Sequence, residues 1–172
     1  MFLNQIKNFL TKKIINKSLS NVKAIASDGI ITTVGIVYDE SNLSEREDLV
    51  SELIKNGIKE NAIKVLVFRD KIKKKEAFDY PVFCNKDMSW SATFDKPDVV
   101  SFVAADFDLL INYYDVEKVP LLLVSQLSKA KFKVGFSAID KRLNHFIINV
   151  SANSRAVFIE ELFKYLKILN KI

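Results

Sequence analysis

Cysteine and glycine are scarce in this chain, and each scarcity excludes a class of site. The 172 residues include a single cysteine, Cys84, so no internal disulfide can form and a reducing, cytoplasmic setting is expected. The four glycines, Gly29, Gly35, Gly57 and Gly135, stand apart from one another. A dinucleotide-binding turn or a P-loop needs several neighbouring glycines, so neither is predicted and no cofactor is expected.

Histidine is equally scarce, and no catalytic constellation is visible. His145 has no acid or cysteine beside it, so no metal site is predicted and a structural or surface role is favoured. Cys84 lies in an apolar context, where cysteine usually behaves as a small hydrophobic residue. Ser128 and Lys131 have the spacing of some serine acylases, but lysine is so abundant here that the match is expected by chance. These absences lean against an enzyme.

Long hydrophobic runs are also missing. The longest, such as residues 119–124, fall far short of the roughly 20 residues that cross a bilayer, so no transmembrane span is predicted. One pair of acids remains as a candidate for metal or acid/base chemistry, because Asp106 and Asp108 flank Phe107 and could share one side of an extended segment. A turn is the favoured alternative, since aspartate favours turns through local backbone hydrogen bonds.

Acidic residues are absent from the first 27 positions, which contain five lysines. Residues 28–172 hold 21 basic and 21 acidic side chains, so the whole net charge of +5 lies in the N-terminal segment. Such a segment attracts phosphate, anionic lipid or an acidic protein surface. The lysines are Lys7, Lys12, Lys13, Lys17 and Lys23.

The same segment is predicted to form an amphipathic helix. Apolar residues recur in it at three- and four-residue spacing, with the lysines largely between them, so one face is apolar and one is cationic. The apolar residues are Phe2, Leu3, Ile6, Phe9, Leu10, Ile14 and Ile15. Whether the apolar face packs on the rest of the chain or the helix reaches outward stays open.

A second basic run occupies residues 69–75, where one acid, Asp70, stands against five cations. This run is predicted to be a loop. It could reinforce the N-terminal helix on a polyanion, or it could be an ordinary solvated loop, and both interpretations stay open. The cations are Arg69, Lys71, Lys73, Lys74 and Lys75.

Strands and helices alternate along the remaining chain. Apolar and β-branched runs predict strands at 30–38, 63–68, 107–113, 132–136 and 146–150, with a short candidate at 81–84. Helices are predicted at 44–56, 97–103, 119–130 and 154–169. The alternation predicts a Rossmann-like three-layer α/β fold with a mostly parallel sheet of five or six strands. Residues 1–23 would form the N-terminal helix and residues 24–172 a single domain.

Helical spacing also predicts which side chains two of these helices bury. The helix at 44–56 begins with a capping-box pattern at Ser44 and Glu47. Its predicted inner face comprises Val50, Leu53 and Ile54. The predicted inner face of the last helix comprises Val157, Phe158, Leu162, Tyr165, Leu166 and Leu169.

Polar residues follow several of the predicted strands. In open parallel sheets, ligands bind beyond the carboxyl ends of the strands, so these residues define the edge at which a ligand would sit. They are Asp39, Glu40, Asp70 and Asp115. A phosphate could also meet a helix N-terminus near residues 42–44, where a structural cap is the favoured interpretation.

Residues 108–136, DLLINYYDVEKVPLLLVSQLSKAKFKVGF, combine an acid-led apolar strand, an apolar helix and a basic Lys-Val-Gly strand. With the upstream strands and the closing helix, this segment resembles an uncharacterised family of small proteins from Bacteroidetes, flavobacteria especially, which has no established activity to carry over. More distantly, it is similar to the end of the N-terminal half of heptosyltransferase-type glycosyltransferases, which implies a Rossmann-like half-domain. Because no aspartate stands in a glycine-rich loop after the first strand, that similarity implies architecture only.

These patterns favour a non-enzymatic binding module that docks on a larger assembly or an anionic surface through its basic N-terminal helix. Its expected partner is a protein or larger assembly, with RNA, the ribosome or an anionic membrane surface as alternatives. Its expected location is the cytoplasm, where it could lie peripheral to a membrane or assembly. The competing hypothesis is a minimal transferase or hydrolase that binds a phosphorylated or sugar-nucleotide ligand at the carboxyl edge of the sheet.

Overall fold

A computed structural model describes residues 2–18, 29–41, 43, 45–73 and 76–172, without the side chains of residues 2–4 and 18. Within these ranges the strands are β1 (Val34–Asp39), β2 (Ile63–Phe68), β3 (Val82–Phe83), β4 (Leu109–Tyr113), β5 (Phe132–Phe136) and β6 (Phe146–Ile148). The α-helices are α1 (Phe2–Ser18), α2 (Arg46–Lys55), α3 (Pro97–Ala104), α4 (Val119–Leu127) and α5 (Arg155–Ile168).

The six strands form one parallel sheet in the order β3-β2-β1-β4-β5-β6. The order reverses between β1 and β4, which are hydrogen-bonded neighbours with Val34 opposite Leu109. This is the order of doubly wound dinucleotide-binding folds, in which the ligand crevice lies at the carboxyl ends of the two strands at the reversal. The predicted Rossmann-like α/β fold and its N-terminal helix are therefore confirmed.

Two apolar clusters cover the two faces of the sheet. One lies between the sheet and α1, α3 and α4, and the other lies between the sheet and α2 and α5. Because successive side chains on a strand point to opposite faces, Val37 belongs to the first cluster and Ile36 to the second. Gly35 also needs to be small, since a Cβ there would lie 2.6 Å from the ring of Phe107.

Several predicted boundaries differ from the structure. The first strand begins at Val34 rather than at residue 30, because the amides and hydroxyls of Thr32 and Thr33 are hydrogen-bonded to the Asp108 side chain. Helix α4 ends at Leu127, earlier than the predicted residue 130. Helix α2 begins at Arg46 with Glu45 at the N-cap position, and the predicted cap, Ser44, lies outside the described residues.

The predicted inner faces of α2 and α5 were wrong in part. In α2, Leu49 and Leu53 are buried, whereas Ile54 is 38% exposed. In α5, the predicted residues Val157 and Leu169 are exposed. Apolar residues cover more than one stripe of each helix. Spacing alone therefore does not identify which stripe is buried, and an error of one residue rotates the predicted buried face by about 100°. The side chains that α5 buries are Phe158, Ile159, Leu162, Phe163 and Leu166.

Candidate functional site

Helix α1 contacts the rest of the protein through Lys7, Thr11 and Ile15, which are buried and lie one turn apart. The Lys7 ammonium donates hydrogen bonds to the carbonyl oxygens of Asn85 (2.7 Å) and Met88 (2.8 Å). Ile15 joins the cluster that α3 and α4 cover. The helix therefore packs on the α/β core, and the ammonium of Lys7 is directed inward rather than to a partner.

The outward face of α1, as we name it, comprises Ile6, Phe9, Leu10, Lys13, Ile14 and Lys17. All of these side chains are exposed, and Phe9 is 70% exposed. Ile6, Leu10 and Ile14 form one stripe at four-residue spacing, and Phe9, Lys13 and Lys17 form the next. Most of the predicted apolar face thus points away from the core, because the domain contacts the opposite side of the helix.

The lysines of the N-terminal segment differ in their surroundings. Lys12 forms an ion pair with Glu117 at 3.0 Å, and both side chains remain partly exposed. Among the described residues, no carboxylate lies within ion-pair distance of Lys13 or Lys17. The last of the five, Lys23, lies outside the described residues. Uncompensated positive charge on α1 is thus concentrated on the outward face.

The second basic run does not present all its charge to solvent. The guanidinium of Arg69 donates to Glu40 at 2.5 Å and to Glu76 at 2.8 Å, and the hydrogen bond to Glu40 raises the pKa of Arg69. Tyr80 donates to the same Glu40 carboxylate at 3.1 Å. Lys71 and Lys73 are exposed, and residues 74 and 75, both lysines, lie outside the described residues. Arg69 therefore links the end of β2 to Glu40, which follows β1, and to Glu76.

The predicted ligand edge contains an ion-pair network that joins Asp39 to Asp70. Asp39 is 1% exposed, and its carboxylate lies 2.8 Å from the ammonium of Lys118 and accepts a hydrogen bond from the Ser41 amide. The same ammonium lies 3.1 Å from Asp70. Sequence reasoning had not singled out Lys118, which immediately precedes α4. These two acids thus share one ammonium that the protein itself supplies.

A cavity of about 150 Å³ lies at the strand-order reversal, lined in part by Tyr38, Tyr113 and Arg155. The two tyrosine rings stack with centroids 5.6 Å apart, and burial raises the pKa of Tyr38 to about 12. Arg155 forms ion pairs with Glu45, which also lines the cavity, and with Asp48. The cavity thus offers phenols that stay protonated at neutral pH and a cation already paired with acids.

The fourth predicted edge residue, Asp115, lies beside this cavity rather than in the network of Lys118. Its carboxylate accepts a hydrogen bond of 3.4 Å from the amide of Ala152, a cavity-lining residue. Tyr113 donates to the carbonyl oxygen of Ala152 at 2.8 Å. The structure therefore brings all four predicted residues to one edge of the sheet but divides them between separate sets of contacts.

Comparison with known proteins places the chain in a family without giving it an activity. The model described as "Family of unknown function (DUF6913)" matches residues 7–169, from the first helix to the last. The chain belongs to this family. No curated protein and no solved structure matches it.

Two candidate catalytic arrangements have structural roles in this DUF6913 chain. Burial opposes ionisation of Asp108, but hydrogen bonds from Lys131, Thr32 and Thr33 outweigh that effect and lower its pKa. Asp108 therefore holds the segment before β1 in place through hydrogen bonds. Asp106 is exposed and does not take part in these hydrogen bonds. Because Lys131 contacts Asp108 at 2.8 Å, its ammonium is committed there rather than serving as a base for Ser128.

His145 and Cys84 are likewise part of the packing. His145 stacks on Phe132, and its Nδ1 accepts a hydrogen bond of 2.9 Å from the amide of Lys133. Cys84 is buried, and burial raises the pKa of its thiol. Over the part of the chain that the structure describes, no group of three or more histidine, cysteine, aspartate or glutamate side chains could hold a metal ion. Over the same part, no helix meets the length and apolarity that a membrane span requires.

Sequence reasoning also missed a buried polar network between α4 and the sheet. Ser125 donates to Asn112 at 2.7 Å, and Asn112 donates to Asn144 at 2.8 Å. The ammonium of Lys133 donates to the carbonyl oxygens of Ser125 and Ser128, and burial lowers its pKa to about 8. These contacts fix the end of α4 against β4 and β5. The sequence signals were single polar residues inside otherwise apolar strands, Asn112 in β4 and Lys133 in β5.

Proposed function

We propose that this protein is a non-enzymatic α/β binding module that docks on a larger assembly or an anionic surface through the outward face of α1. The observation that supports the proposal is the exposure, on one face of α1, of four large apolar side chains together with Lys13 and Lys17. Contiguous exposed apolar patches that are rimmed by polar side chains mark interaction surfaces.

The contacts on the other side of α1 support the same proposal. The two hydrogen bonds of Lys7 and the burial of Ile15 hold α1 in place as a helix. An isolated helix of this length is only marginally stable in water, so packing on the domain supplies the order that docking needs. A preordered surface binds without first losing conformational entropy. We also propose that the protein is cytoplasmic and peripheral to the surface on which it docks, because its single cysteine fits a reducing compartment.

Reversing the charges of Lys13 and Lys17 is expected to weaken docking strongly. The double variant Lys13→Glu/Lys17→Glu should lose at least about 30-fold in binding, because each lysine near an anionic surface contributes about 1 kcal/mol. Retention on heparin and co-sedimentation with phosphatidylglycerol-containing vesicles, each followed across a salt series, measure the effect.

The matched control is Lys59→Glu/Lys167→Glu, which changes the net charge equally at two exposed lysines, one after α2 and one in α5. It should retain binding to the surface that the parent protein prefers. Equal loss in the two double variants would show that net charge alone matters. That result, or a parent protein that binds neither surface, would refute docking through α1.

A second candidate function rests on the cavity between β1 and β4. Doubly wound folds bind ligands at this position, and under the competing hypothesis a phosphorylated or sugar-nucleotide ligand binds there. Under this hypothesis, Arg155 would exchange its bonds with Glu45 and Asp48 for bonds with the phosphate of the ligand. The protein would then be a minimal transferase or hydrolase.

A thermal-shift screen of nucleotides and sugar phosphates tests this candidate. We expect no stabilisation, because Arg155 is paired with acids and the two tyrosine rings stack at the crevice. A true ligand at about 100 times its dissociation constant would stabilise the protein by about 2.7 kcal/mol. Such a shift, if absent from the Arg155→Gln variant and not reproduced by sulfate, would overturn our expectation and favour the enzyme.

A further inference from the structure

We infer that the anionic surface is a lipid bilayer, on which α1 lies in the headgroup region with the side chain of Phe9 inserted. This inference rests on the proposed docking function and specifies its partner. Interfacial helices combine an apolar stripe with lysines and bind where buried apolar area and attraction to anionic lipid act together. The outward face of α1 carries both features within one surface.

The length of the stripe fits shallow insertion along the bilayer surface. Ile6, Leu10 and Ile14 occupy successive turns, so the stripe extends about 12 Å along the axis of α1. Its three side chains remain about two-fifths exposed, whereas Phe9 on the adjacent stripe is 70% exposed. Phe9 is therefore the most exposed apolar side chain of the outward face, and the aliphatic side chains would accompany it at the boundary between headgroups and acyl chains.

A polyanion such as RNA fits this face less well. Proteins bind nucleic acids through charge and by stacking bases on aromatic or guanidinium planes. The outward face offers two lysines and one phenylalanine for such contacts, and the aliphatic side chains Ile6, Leu10 and Ile14 would stay in water. A bilayer instead buries the aliphatic side chains while its phosphates meet the lysines.

A second copy of the chain is also a less suitable partner for the outward face than a bilayer, for a different reason. Pairing two outward faces would bring Lys13 and Lys17 of one copy towards the same lysines of the other, and α1 contains no acid to compensate them. A lysine near a bilayer can bury its aliphatic stem and extend its ammonium to the phosphate layer. Lysines interspersed with apolar side chains therefore match a lipid surface better than a self-association interface.

The test uses the full chain and separates the loss of apolar contacts from the loss of charge. The variant Phe9→Ser/Leu10→Ser keeps every lysine, and the matched control Val157→Ser/Ile168→Ser removes two exposed apolar side chains from α5. We expect binding to phosphatidylglycerol-containing vesicles to fall at least tenfold in the first variant and to be unchanged in the second. Weak retention on heparin should be equal in both, and circular dichroism establishes that both are folded.

A fluorescence measurement checks insertion directly. In a Trp90→Phe background, Phe9→Trp should show blue-shifted emission with phosphatidylglycerol-containing vesicles and no shift with phosphatidylcholine vesicles. Vesicle binding that does not require Phe9 and Leu10, or no emission shift on the bound protein, would overturn insertion. Binding to RNA or heparin without vesicle binding would overturn the lipid inference while leaving the docking proposal in place. Binding to none of these surfaces would overturn both.

Discussion

Replacing Lys118 by methionine should lower the free energy of unfolding by about 3 kcal/mol, because it removes the ammonium that forms an ion pair with the buried carboxylate of Asp39. Asp39 is 1% exposed and lies 2.8 Å from the Lys118 ammonium. Methionine preserves most of the aliphatic stem, so the loss reports the charge rather than the packing. Urea unfolding at neutral pH, analysed by linear extrapolation, measures the change.

Two further variants make this prediction specific. Lys55→Met removes a lysine that pairs with Glu52 on the surface of α2, and it should cost less than about 1 kcal/mol. Adding Asp39→Asn to Lys118→Met removes the buried negative charge while keeping an acceptor for the Ser41 amide. The double variant should therefore be more stable than Lys118→Met by at least about 1 kcal/mol. Equal costs for Lys118→Met and Lys55→Met would contradict the assigned role of Lys118.

The network of Lys118 shows which residues at the carboxyl edge could be predicted from the sequence and which could not. Asp39 and Asp70 could be predicted to share this edge because each follows a strand that is recognisable from its apolar run. Lys118 could not, because a single lysine before a helix has no distinctive pattern. Its role depends on β1 and β2 being adjacent and on α4 starting beside them, which are facts of topology. The position of this edge could therefore be predicted, but the pairing of its acids with Lys118 could not.

Helix α1 shows a different limit. Its existence follows from its spacing, but the rule that apolar faces turn inward would have buried Ile6, Leu10 and Ile14. The structure instead buries Lys7, whose ammonium finds two carbonyl oxygens near residue 88, and leaves the apolar stripe exposed. A buried lysine is acceptable only when such acceptors are in place. No pattern within residues 1–27 could reveal them, because they lie about 80 positions away.

A substitution in helix α5 is expected to cause the second large loss of stability. Adjacent residues of this helix differ in burial, because Phe158 is buried and Val157 is exposed. Phe158 is fully buried, and its ring centroid lies 4.7 Å from that of Phe136 and 5.2 Å from that of Tyr113. Phe158→Ala should lower the free energy of unfolding by about 3–5 kcal/mol, through lost burial and the cavity left behind. Denaturant unfolding monitored by circular dichroism measures it, with an unchanged denaturant dependence expected if the folded state is retained.

The matched control is Val157→Ala, one position earlier on the same helix. Spacing places Val157 and Phe158 together on the inner face, but Val157 is 45% exposed in the structure. Alanine also has the higher helix propensity, so Val157→Ala should be neutral within about 0.5 kcal/mol or slightly stabilising. A cost for Val157→Ala close to that for Phe158→Ala would mean that α5 is rotated towards the face predicted from its sequence. The ratio of the two losses in unfolding free energy therefore tests the orientation of α5. It also tests the position of Arg155, the residue of α5 that lines the cavity between β1 and β4.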